Sequence, residues 1–232
     1  MRGTFLNTAT VAAGALLGLA VGRFTPPAAQ ETAIAGLGLV TTGLAIRMFL
    51  QSRNPLAVAG AIALGGVLGM LLGFDTGLHR FADWAKATSG GGGRFSEAVV
   101  TTTVLFCVGP MTLLGCLQDG LEGRSELLSL KSTMDGVAAF FFAAALGPGV
   151  LVTAVVVLVF QGALTLMARR LRRLAEREDL MAEISGAGGS ILLATGLGLL
   201  GIKSLPTANY LPALLLAPLF ALTLAKLESR KA

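Results

Sequence analysis

Long apolar runs separated by short polar or Gly/Pro-containing segments organise this chain from end to end. The runs cover residues 3–21, 34–50, 55–72, 98–117, 136–146, 150–167, 184–202 and 211–224. A helix that crosses the hydrocarbon core of a bilayer needs about 20 apolar residues, with a range near 17 to 25. Most of the runs reach or approach that length. The fifth, 136–146, is clearly short and is expected to be kinked or re-entrant, and re-entrant backbone survives only where protein or a water-filled cavity covers it. The pattern predicts an all-α polytopic membrane protein of about eight transmembrane helices. Met1-Arg2 and the apolar run to Val21 have the outline of a signal peptide, but no small-x-small site precedes Arg23, so the run reads as the first helix. Asn54-Pro55 opens the third helix, with Pro in the first turn where its missing N–H costs nothing. Gly147-Pro148-Gly149 separates the fifth and sixth helices with no charge in the break.

Two polar segments have a pattern of their own. Phe74, Leu78, Phe81 and Trp84 recur at helical spacing with Asp75, Arg80, Asp83 and Lys86 between them. This predicts an interfacial helix with Trp84 at headgroup level. Residues 89–93 read as a flexible linker, and 169–178 as a solvated helical extension. The chain is accordingly read as one transmembrane domain, 1–232. It divides into a three-helix unit (1–73), an interfacial helix and Gly linker (74–95), a central broken-helix unit (96–149) and a second three-helix unit (150–232).

Composition agrees. Only 13% of residues are charged and mean hydropathy is +0.77, whereas a soluble domain carries about 25% charge. The main partner is the lipid bilayer. A net charge of +5 does not point to nucleic acid, because the basic residues sit in short segments beside apolar runs. If the N-terminus is cytoplasmic and eight helices span, 13 of the 18 Lys and Arg fall inside, the cluster from Arg169 to Arg177 among them. The positive-inside rule then puts both termini in the cytoplasm.

The sequence lacks HExxH, GxSxG, P-loop and Cys/His-cluster patterns, so no enzyme, metal or cofactor is expected. His79 is the only histidine. Cys107 and Cys116 read as thiols packed like small hydrophobes. Gly14, Gly18 and Gly22, and likewise Gly65, Gly69 and Gly73, have the four-residue spacing that lets helices approach closely in lipid. Such stripes serve either packing within one subunit or a second copy, and a homodimer is predicted. Thr42 to Ile46 resembles Thr195 to Leu199, and Gly14-Ala15-Leu16 resembles Gly162-Ala163-Leu164. Helices one to three would then recur, inverted, as helices six to eight, an arrangement many secondary transporters use.

The densest polar region is the fourth helix and the segment after it. Gly109-Pro110 falls mid-span; Pro110 cannot donate to the Phe106 carbonyl and forces a break. The freed carbonyl and the new helix N-terminus either form a site, as in transporters, or are satisfied locally by the Thr112 hydroxyl or a water. Gln118 and Asp119 close this helix, and Lys131 and Asp135 precede the next at i, i+4. Both acids look interfacial, where they act as a cap and a surface ion pair; deeper in the bilayer they would be functional. Asn7, Gln161 and Asn209 either bind helices to one another or line a polar pathway. The candidate pathway is therefore Asn7, Gly109, Pro110, Thr112, Gln118, Asp119, Lys131, Asp135, Gln161 and Asn209. Three readings are open: a secondary transporter or channel for a small solute or ion, an accessory protein that binds a partner through Gly-rich faces, and, least favoured, a membrane enzyme.

Residues Leu105 to Gly109, Gly115, Asp119-Gly120-Leu121, Lys131-Ser132 and Asp135-Gly136 resemble the YdfK/YqgA family of bacterial inner-membrane proteins, whose function is unknown. Gly3-Thr4 with Asn7, Gln161-Gly162, and Asn209 with Leu211-Pro212-Ala213 are similar too. The resemblance covers nearly the whole chain. It implies a multi-pass protein of the bacterial cytoplasmic membrane and carries over no substrate and no site residue. The Gly90 to Gly93 run is read as a lineage-specific loop.

Overall fold

A computed structural model describes residues 1–90, 92 and 94–228. Among these residues there are eleven α-helices, one 3-10 turn and no strand. They are α1 (Arg2–Gly22), α2 (Pro27–Phe49), α3 (Pro55–Leu71), α4 (Phe74–Ser89), α5 (Phe95–Cys107), α6 (Pro110–Leu121), α7 (Glu126–Leu146), α8 (Gly149–Leu166), α9 (Ala168–Ala175), α10 (Glu178–Leu199), the 3-10 turn (Thr207–Tyr210) and α11 (Ala213–Glu228). Six helical segments are long and apolar enough to cross a membrane: α1, α2, α7, α8, α10 and 207–226. Two bent pairs also pass when taken together, α3 with α4 at 53° and α5 with α6 at 62°. The protein is an all-α polytopic membrane protein with six to eight crossings.

Several boundaries differ from the sequence reading; α2, for one, begins at Pro27, seven residues before the expected start. The expected short fifth helix is α7, a full 21-residue span. Counting apolar residues stops at Asp135 and Lys131, but these two charges pair with each other on the buried face and the helix runs straight through them. The 98–117 run is two helices, α5 and α6, bent at Val108 and Gly109; Gly109 takes φ 141°, ψ 155°, open to a residue without Cβ. Cys107 and Cys116 therefore lie on different helices; both are free and buried. The 169–178 extension is a separate helix, α9, and α10 begins six residues earlier than expected, at Glu178. The predicted interfacial segment is α4, whose Ala82 and Ala85 pack on Phe95 and Val99 of α5 while Trp84 is exposed. Gly91 and Gly93 of the expected linker, and the basic residues Arg230 and Lys231, lie outside the described residues.

Register follows from the glycines. A Cβ on Gly14 would stand 2.1 Å from the Gly136 carbonyl oxygen, and one on Gly18 2.1 Å from that of Phe140. Gly3 faces Leu128 and Gly22 faces Ala144, so α1 and α7 run parallel in near-backbone contact. A Cβ on Gly69 would stand 1.9 Å from the Asn209 carbonyl oxygen, and Gly65 meets Ala213. Gly14, Gly18 and Gly22 of one stripe and Gly65 and Gly69 of the other are thus filled inside the chain, as small residues permit in lipid, where close packing replaces the hydrophobic drive, while Gly73 faces open space. Gly36 and Gly43 of α2, by contrast, face open space.

The same contacts order the rest. Gly149 meets Phe95, Thr102 bonds Thr153 at 2.6 Å, and Gly120 meets Thr165. The α5–α6 span therefore runs parallel to α8. Thr4 bonds Thr165 at 3.1 Å, so α1 is antiparallel to α8. Gly38 meets Leu199 and Leu200, while Gly189 meets Ala45 and Phe49; α2 and α10 are antiparallel. Gly60 facing Phe220 and Gly69 facing Asn209 make α3 and the 207–226 segment antiparallel.

Candidate functional site

The break at Val108-Gly109-Pro110 lies halfway along the α5–α6 span. Pro110 leaves the Phe106 carbonyl without its helical donor, and the Thr112 hydroxyl donates to it at 3.3 Å. Of the two sequence readings of that carbonyl, the local one describes this geometry.

Beside the break runs α7. Lys131 pairs with Asp135 one turn further along, and the same carboxylate oxygen accepts the Asn7 amide of α1 at 3.0 Å. The Lys131 ammonium also stands over the Phe106 ring, 5.9 Å from its centre. Lys131 and Asp135 are each 7% exposed and Asn7 is fully buried. Asp135 is nine residues into a helix of 21. At 1.5 Å per residue that is about 13.5 Å from its start, near the middle of the helix. The expected surface ion pair is corrected: Lys131 and Asp135 are buried inside the bundle, and the charges are tolerated there because they are paired and hydrogen-bonded.

Asp119 has a different task. Its Oδ2 accepts the Gly3 N–H at 3.1 Å and meets the Met1 ammonium at 2.9 Å, with the side chain 1% exposed. A carboxylate against the first N–H groups of α1 satisfies donors that no helix can satisfy itself. Asp119 thereby ties the end of α6 to the start of α1. Gln118 accepts the Leu127 N–H at 3.3 Å and closes the α6–α7 connection. Asn209 sits apart from this group; it accepts the Asp75 N–H at 2.9 Å, where the 3-10 turn meets α4.

Gln161 is fully buried, and neither atom of its amide finds a hydrogen-bond partner among the described residues; the same holds for Asn7 Oδ1. The structure thus gathers Asn7, Thr112, Lys131 and Asp135 around the break, sets Asp119 and Gln118 toward the end of the bundle that holds Met1, and separates Asn209.

Sequence reasoning misses one residue. Glu183 is 2% exposed and accepts the Ser52 hydroxyl at 2.6 Å and the N–H groups of Arg53 and Asn54, each at 2.9 Å. It caps the entry to α3 as Asp119 caps α1. The available signal is an acid directly before an apolar run, which has the same look as any solvated helix end.

Two cavities flank the break. One, about 370 Å³, is lined by Asp75, His79, Glu97, Thr101, Thr195 and Thr207 among others. The other, about 660 Å³, is lined by Leu114, Leu117, Gln118, Leu127, Arg169 and Arg172 among others. Glu176 bonds Arg172 and raises its guanidinium pKa. The first cavity touches the start of α5, level with the start of α8; the second touches the end of α6, level with Met1. They therefore open toward opposite ends of the bundle. No group of three metal-ligating side chains occurs among the described residues.

The chain matches the family described as "Protein of unknown function (DUF554)" over residues 2–222. It is 28% identical over 222 residues to the uncharacterized membrane protein YdfK of Bacillus subtilis (strain 168), covering 94% of each chain. It is 31% identical over 221 residues to the uncharacterized protein YqgA of Escherichia coli (strain K12), covering 93% of this chain and 94% of that one. No solved structure matches it. A helical bundle with six to eight apolar spans, matched to these proteins over nearly its full length, belongs to the DUF554 family of membrane proteins.

Proposed function

We propose that the protein is a secondary transporter or channel for a small solute or ion, lying in the bacterial cytoplasmic membrane with both termini inside and driven by no nucleotide. The observation that carries this reading is the pair of cavities on either side of the broken α5–α6 span. One half of the same span lines each cavity, and between those halves lies the break, packed among Met48, Val104, Val108, Ile191 and Leu192. Carriers that alternate access use discontinuous helices at the membrane midplane in this way. The packing also supports an inverted repeat. Each helix of the first three-helix unit lies antiparallel to its proposed counterpart: α1 to α8, α2 to α10, α3 to the 207–226 segment. The matched residues Thr42 and Thr195 fall where α2 and α10 cross, with Thr42 against Gly196.

The test is two-sided access. In a variant with Cys107 and Cys116 replaced by Ala, single cysteines at Thr101 and Leu117 are labelled by membrane-impermeant thiol reagents applied from each side. Thr101→Cys is expected to react from one side only and Leu117→Cys from the other. Reaction of both from the same side, or of neither, overturns the reading. The alternative, an accessory protein that docks a partner through Gly-rich faces, draws on the open Gly36 and Gly43 face of α2.

A further inference from the structure

We infer that the α1–α7–α8 interface holds a binding site for a small, net-uncharged, hydrogen-bonding molecule, and that this is the substrate class of the proposed transporter. The inference rests on the transport reading for the word substrate and on separate observations for the site. Thr4 and Thr165 bond each other across antiparallel α1 and α8. Asn7 lies three residues deeper on α1 and Gln161 four residues deeper on α8, each on the same helical face as its threonine. Both amides therefore reach the same depth, where both are fully buried.

Three of their four polar atoms, Asn7 Oδ1 and Gln161 Oε1 and Nε2, have no partner among the described residues. A dry, unpaired amide buried inside a membrane bundle costs more than the leucine that would fill the same space. Two acceptors and one donor meeting at one depth describe an occupant that both donates and accepts hydrogen bonds. Lys131 adds two further N–H donors beyond the one directed at Asp135.

Charge decides the class. Lys131 and Asp135 sum to zero beside the amides. A cation entering would meet the ammonium and an anion the carboxylate, each leaving one uncompensated charge in low dielectric. An uncharged amide or polyol leaves the balance intact. A zwitterion does so too, with its carboxylate toward Lys131 and its ammonium toward Asp135.

Two measurements test this. The first needs no substrate. Gln161→Leu, purified in detergent, is expected to melt below the wild type because it loses the bonds to the occupant. A higher melting temperature means the amide was dry and overturns the site. The second uses proteoliposomes and stopped-flow light scattering with acetamide and glycerol as uncharged probes, glycine as the zwitterion, and sodium chloride and potassium acetate as charged controls. Entry of acetamide, glycerol or glycine above the rate of empty vesicles, with neither salt entering, is expected, and which probe enters tells an uncharged substrate from a zwitterion. Gln161→Leu should abolish it. Lys131→Gln and Asp135→Asn, each leaving a lone buried charge, should each lose roughly a hundredfold in rate, and the double variant, neutral again, should recover most of that loss. Entry of a salt alone, or a double variant as inactive as the singles, overturns the substrate class while leaving transport standing. Entry of no probe, with Gln161→Leu less stable, overturns transport and leaves the site.

Discussion

Gly14→Ala is the sharpest test of how the packing holds the cluster. The new Cβ would stand 2.1 Å from the Gly136 carbonyl oxygen, with the backbone of Gly136 behind it. Ordinary contact begins near 3.4 Å, so α1 must move off α7 by about 1.3 Å, since backbone cannot rotate aside as a side chain would. The Asn7–Asp135 bond spans the same interface two turns away at 3.0 Å. Even half of that shift takes it past about 3.6 Å, beyond a hydrogen bond. Overpacking of this kind costs about 1–3 kcal/mol, or about 2–12 °C in melting temperature for a chain of this size. The assay is size-exclusion chromatography of purified protein after heating, with Gly36→Ala as control, because Gly36 faces open space. A Gly14→Ala protein that melts with the wild type, or a Gly36→Ala protein that loses as much, would refute the register of α1 on α7 and the way Asn7 is brought to Asp135.

Other expectations rest on single contacts. Asp119→Ala leaves the Gly3 N–H at the start of α1 without its acceptor and should cost about 1–3 kcal/mol by thermal melting, whereas Asp119→Asn, which keeps an acceptor oxygen, should cost less; equal losses would mean that the carboxylate caps nothing. Thr112→Val should expose the Phe106 carbonyl and lower stability by about 1–3 kcal/mol, with Thr112→Ser near wild type; the same melting assay reads both. Glu183→Ala should destabilise more than any exposed acid, because three donors at the entry to α3 lose their acceptor together; limited proteolysis at residues 51–54 reads the opened entry. Reporter fusions at Ala232 and after Lys203 should report cytoplasmic and external ends respectively, and an external Ala232 would remove the eight-span arrangement together with the inverted repeat.

The sequence by itself determined the class of the protein and most of its helices, because lipid leaves the backbone only one economical solution: long apolar runs must be helices that satisfy their own N–H and C=O groups. It also marked the break at Gly109-Pro110, where the chain offers no N–H to the Phe106 carbonyl, although Pro218 sits inside the continuous α11. It did not determine which charges are inside. Lys131 and Asp135 look interfacial by position, and only the facing α1, α5 and α6 decide that they lie in the core with Asn7 and Phe106 as neighbours. Asp119 and Glu183 become caps through donors 116 and 129 to 131 residues away in the chain, a distance over which no local pattern carries information. Asn209 groups with the other amides by residue type, yet it belongs to the junction of α4 and the 3-10 turn. Whether a polar side chain in a membrane protein is a cap, a brace or part of a site depends on what it faces, and the register of α1 against α7 and α8 is set by close glycine contacts that appear only once the helices are assembled.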